Sequence, residues 1–84
     1  MKPFILLVDD NEEILAFLEN ELCERYTIRK AFNGAEALHL LQEEAIQLVV
    51  CDVMMPVMDG FAFCKAVKTN VDYSHIPVVL LTAR

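Results

Sequence analysis

Phe4-Ile5-Leu6-Leu7-Val8-Asp9-Asp10 runs from five apolar residues straight into two adjacent acids, and Leu48-Val49-Val50-Cys51-Asp52 ends in a third. Short, continuously apolar runs of this kind predict strands buried on both faces, as in a parallel sheet. If the two runs are neighbouring strands, three carboxylates converge at one sheet edge. Such a cluster repels itself and calls for a divalent cation; oxygen-only ligation by few protein groups points to magnesium. One carboxylate then remains as a nucleophile toward phosphorus.

Outward from these runs, apolar strands alternate with stretches of helical period. A helix is predicted over about 11–25, where Ile14, Leu18 and Leu22 recur at four-residue steps beside Leu15, with Asp10 and Glu13 as its capping box. Residues 26–32 mix β-branched, aromatic and charged side chains as an edge strand does. Asn33-Gly34 ends that strand, and Asn33 with Glu36 repeats the capping pattern ahead of a helix carrying Leu38, Leu41 and Ala45 on one face. Residues 47–51 form the third strand, 61–68 a third helix with Phe63 and Val67 inward, and 76–81 a fourth strand. Strict β-α alternation implies an α/β fold: a parallel sheet with right-handed crossovers and helices on both faces.

Composition narrows the function. The 84 residues are 56% hydrophobic with a formal net charge of −6, which describes one small acidic domain. Seven Lys and Arg scattered among thirteen acids do not build a phosphate-backbone footprint, so no direct nucleic-acid contact is expected. The apolar start is too short for a signal-peptide core or a spanning helix, and no membrane segment is expected. Cys23, Cys51 and Cys64 lack the spacing of a metal knuckle or redox pair, so reduced thiols and a cytoplasmic location are the plain inference.

Val8-Asp9-Asp10, then Cys51-Asp52-Val53-Met54-Met55-Pro56, Met58-Asp59-Gly60 and Leu81-Thr82-Ala83, taken in order, resemble the receiver domain of two-component response regulators. The resemblance implies a flavodoxin-like, doubly wound parallel sheet of order 2-1-3-4-5, with the site at the carboxyl ends of the strands. It implies Asp52 as phosphoacceptor, magnesium held by Asp10 and Asp52 directly, by Asp9 through water and by the main-chain carbonyl of Met54, and Thr82 as the hydroxyl that bonds the new phosphate. The function implied is that of a phosphorelay module rather than an enzyme: it takes a phosphoryl group from a histidine kinase or phosphotransfer domain and switches an output, such as transcription. The stretch 71–77 resembles receivers embedded in hybrid sensor kinases.

Plainer roles compete at several positions. Asp9 or Asp10 can cap the first helix, Thr82 can serve as a β-former, Met55-Pro56 shapes a loop, and Asp59-Gly60 is an ordinary helix-start signal. His39 and His75 lack ligand spacing and read as surface residues. Cys51 should point away from Asp52, because strand neighbours face opposite sides. Two other chemistries on this kind of fold fit poorly. A haloacid-dehalogenase phosphatase wants an Asp where Met54 stands, and the acids after the first strand repel a flavin phosphate.

A full receiver continues with a fourth helix, a fifth strand bearing a phosphate-contacting Lys, and a fifth helix. Residues 1–84 are thus expected to be an incomplete receiver domain of four strands and three helices, with Lys65 and Lys68 no evident substitutes for the missing Lys. The alternative function is a receiver-shaped interaction module with impaired phosphorylation. An apolar fourth strand at an open edge should be covered by further chain, or by a second copy through dimerisation or swapping.

Overall fold

The computed structural model describes residues 1–55 and 58–81. Its elements follow the order β1 (Phe4–Val8), α1 (Glu12–Leu22), β2 (Thr27–Ala31), α2 (Gly34–Glu43), β3 (Leu48–Asp52), α3 (Gly60–Thr69) and β4 (Val78–Leu81). All strand pairings are parallel, in the spatial order β2-β1-β3-β4. The expected α/β architecture and strand order are therefore present in the four strands described.

Alternation along the strands divides the core into two layers. Leu6, Val8, Val49 and Cys51 pack with Ala37, Leu41, Phe63 and Val67 of α2 and α3, while Ile5 and Leu7 pack against Leu15 of α1. Because successive strand residues point to opposite faces, a continuously apolar strand feeds both layers at once. Phe63 and Val67, four residues apart on α3, are both fully buried. Burying side chains of this size stabilises the fold by about 1.5–3 kcal/mol each.

The outer strand β2 carries its charges where they have partners. Arg29 meets Glu44 at 3.1 Å and lies over the Phe4 ring, and Lys30 meets Glu19 of α1 at 2.8 Å. Charged side chains on an edge strand also discourage pairing with a foreign strand. On β4, Val78 and Leu80 face the larger layer, whereas Val79 and Leu81 are 46% and 38% exposed.

The helix starts show where local sequence and tertiary context part. The N-cap of α1 is Asn11, whose side chain accepts from the amides of Glu13 and Ile14, and not Asp10 as its Asp10-Glu13 pattern suggests. Asn33 caps α2 by accepting from Glu36, and the Glu36 carboxylate reaches back to the amide of Phe32. Ala45 falls beyond the end of α2 and is exposed, while Ala37 takes the inward position with Leu41.

Candidate functional site

Register fixes the level of the site. Val8 pairs with Cys51, so the next residues, Asp9 and Asp52, stand side by side at the carboxyl edge of the sheet. Asp52 is still within β3 and pairs with Leu81. Asp9 and Asp52 are buried, Asp10 is exposed, and one carboxylate oxygen from each lies within 4.8 Å of the others. Such a set of hard oxygen donors, two sheltered and one open to water, suits a small divalent cation.

The surroundings hold this cluster rigidly. Asp9 donates its amide to Ala31 of β2, and its carboxylate accepts from the amide of Asn11 at 2.9 Å, the residue that caps α1. One carboxylate thus links the cluster to the first turn of α1. Beyond Asp52, the amide of Val53 donates to Leu81 at 3.1 Å, and its carbonyl accepts from the amide of Gly60 at 2.8 Å. Asp59 caps α3 by accepting from Ala62 at 2.8 Å.

The Asp59-Gly60 pattern predicts a simple helix start, and the structure gives the glycine more to do. A Cβ at Gly60 would lie 2.5 Å from the carbonyl oxygen of Asp52 and 2.7 Å from the Cα of Val53. Only a residue without a side chain lets α3 begin this close to the end of β3. The contact joins the end of β3 to the start of α3 across a loop, so it leaves no signal in local pattern.

The remaining expected positions fall as follows. Met54 lies in the loop after β3 with 67% of its surface exposed, and Met55 and Met58 pack against the larger core layer. Thr82 lies outside the described residues, as does Pro56. Lys68 donates to the carbonyls of Ser74 and Ile76, so its ammonium is engaged at the end of α3 remote from the acids. His39 is exposed and sits 2.8 Å from Glu43 one turn on. Cys51 points into the larger layer, away from the carboxylates. Burial, reinforced by the charge of Asp52, pushes its thiol up to about 12. No helix among the described residues is long and apolar enough to cross a membrane.

Comparison with known proteins converges on one family. A "Histidine kinase P4" from Formosa agariphila is 43% identical over 83 residues, which are 99% of this chain but 6% of that protein. The chemotaxis response regulator CheY4 of Vibrio cholerae superposes with a TM-score of 0.93 at 34% identity, covering 100% of this chain and 71% of that one. The Ssk1 receiver domain of Saccharomyces cerevisiae, solved in complex with the histidine phosphotransfer protein Ypd1, matches with a TM-score of 0.85 at 26% identity, over 99% of this chain and 65% of that chain. The chain spans a small part of the curated relatives it matches, 6% of the kinase and 18% of the response regulator PleD of Caulobacter vibrioides. With the model of the response regulator receiver domain matching residues 5–84, the chain belongs to that family of signalling domains.

Proposed function

We propose that this chain is a phosphoacceptor: Asp52 takes a phosphoryl group from a histidine kinase or phosphotransfer domain and passes the event on as a change of conformation. The observation that carries the reading is the convergence of Asp9, Asp10 and Asp52 within 4.8 Å at the end of β1 and β3. Asp9, Asp10 and Asp52, with the Met54 carbonyl, would hold magnesium, which when bound neutralises charge on the attacking and incoming oxygens.

The chain's own residues supply position. Asp52 sits on a strand end held on both sides, so its carboxylate meets phosphorus from a fixed direction. Its oxygen forms the new bond to phosphorus while the bond to the donor imidazole nitrogen breaks. That electron pair stays on the nitrogen, which picks up a proton. Asp9 orients the start of α1 through Asn11, and Asp10 keeps the open side of the cluster hydrated. Thr82, two residues on from Leu80, is the hydroxyl assigned to bond the phosphate. A cytoplasmic location fits this partner class, and the output is a property of the assembly in which the receiver works.

The test is acyl-phosphate labelling of the chain with and without magnesium. Labelling that needs magnesium and disappears in Asp52→Asn is expected. A chain that superposes on receivers yet takes no phosphate at Asp52 would instead be an interaction module.

A further inference from the structure

We propose that Gly34, at the first position of α2, is a positioning residue for Asp52, acting through Met58 and Gly60. The inference rests on the phosphoacceptor reading of Asp52, but the geometry behind it does not. A Cβ at Gly34 would lie 2.8 Å from the Sδ of Met58, 3.0 Å from its Cγ and 3.1 Å from its Cβ. Two residues after Met58, Gly60 rests bare against the carbonyl of Asp52 and the Cα of Val53. The segment Met58–Gly60 is therefore a wedge with α2 on one side and the acceptor strand on the other.

Each side of the wedge has a different stiffness. At Gly60 the opposing atoms are backbone, and no rotamer relieves an added methyl. At Gly34 they are the Sδ, Cγ and Cβ of a half-buried methionine packed on the larger core layer, which yields by turning its own side chain against that layer or by moving the backbone that bears it. That backbone is tied to the site by the Gly60 amide, which donates to the carbonyl of Val53 at 2.8 Å. A push delivered at Gly34 thus arrives next to the acceptor. In-line attack tolerates little displacement: a misplacement of about 1 Å is enough to cost about a hundredfold in rate.

The competing account is that Gly34 merely opens α2. In that case alanine, the better helix former, leaves the site untouched and the helix a little more stable. Four full chains decide between them: wild type, Gly34→Ala, Met58→Ala and the double variant, each followed by backbone amide NMR and by labelling with acetyl phosphate and magnesium. Gly34→Ala is expected to shift the amide signals of Val53 and Gly60 and to slow labelling by about tenfold. Met58→Ala removes the Cγ and Sδ that the new methyl meets, so the double variant should return to the signals and rate of Met58→Ala alone. Such a non-additive cycle marks direct coupling.

Unmoved Val53 and Gly60 signals in Gly34→Ala, or effects that simply add in the double variant, overturn the proposal. Should Gly34→Ala not fold, Met58→Ala still decides: it withdraws the wedge from the other side and must itself move the Val53 and Gly60 amides. Those signals require no phosphate. A wild-type chain that fails to label refutes the acceptor reading, while the amide shifts still judge the wedge.

Discussion

Replacing Asp10 by Asn removes one charge from the cluster without removing a helix cap, because the cap of α1 is Asn11. Its effect on the metal-free fold follows from which repulsions folding creates. Asp9 and Asp10 are chain neighbours and repel each other folded or unfolded, so that pair largely cancels. The Asp10–Asp52 pair forms only on folding. At the 4.8 Å limit of the cluster, two unit charges repel by about 1 kcal/mol in water and about 3.5 kcal/mol at an effective dielectric of ~20. Asp10 is exposed, so the lower figure governs, and Asp10→Asn should stabilise the apo fold by about 1 kcal/mol, or about 5 °C in Tm. Thermal and urea melts in a chelator, at low ionic strength, measure it. Magnesium should then invert the ranking, raising the wild-type midpoint by mass action and the variant's much less. Loss of about 1 kcal/mol or more in the chelated variant would refute the electrostatic account and return Asp10 to a capping role.

Asn11→Ala strips the α1 cap from two amides and should cost about 1 kcal/mol in urea melts. Phe63→Ala opens a cavity in the larger layer and should cost about 3–5 kcal/mol by the same measurement; a smaller loss would mean the layer collapses to fill it. The Cys51 thiol stays protonated up to about 12 in the fold, against an ordinary value of 9.0. Its contribution to stability is thus complete below pH 9 and drains away as pH rises toward 12, at no more than about 1.4 kcal/mol per pH unit. Alkaline melts of Cys51→Ala beside wild type isolate this contribution, and the variant should show the flatter profile.

The strands and the acid cluster were legible in the sequence because both follow from short-range pattern. The extent of β1 is visible in Phe4–Val8 itself, and the meeting of Asp9 with Asp52 follows from two apolar runs, each ending in an acid, that lie in parallel register with Val8 opposite Cys51. The α1 cap was displaced by one residue because Asp9, Asp10 and Asn11 are all competent acceptors. What decides among them is the chain's exit from the sheet, where the Asp9 carboxylate already holds the Asn11 amide. Ala45 lies outside α2 although it fits the helical period, because that period runs on past Glu43, where the helix ends. Gly34 marks a strand end and Gly60 a helix start in the sequence, and neither pattern shows the close approaches they permit, which join residues far apart in the chain. No periodicity records a distance between a helix start and a strand end.

The same alternation that sends Asp52 toward the site sends its neighbour Cys51 the other way, and this gives the chain a built-in clock. Cys23 is exposed and Cys64 half-buried, while Cys51 is sealed in the larger layer with its thiol protonated at neutral pH. An alkylating reagent needs thiolate and access, so it marks Cys23 on the native fold and reaches Cys51 only when β3 parts from its helices. Pulse alkylation read by mass spectrometry would therefore time the opening of the sheet at one residue's distance from the carboxylates. Because the tagged sulfur lies on the opposite face, the record is made without touching the acids, and the lifetime of the closed sheet can be compared directly with and without magnesium.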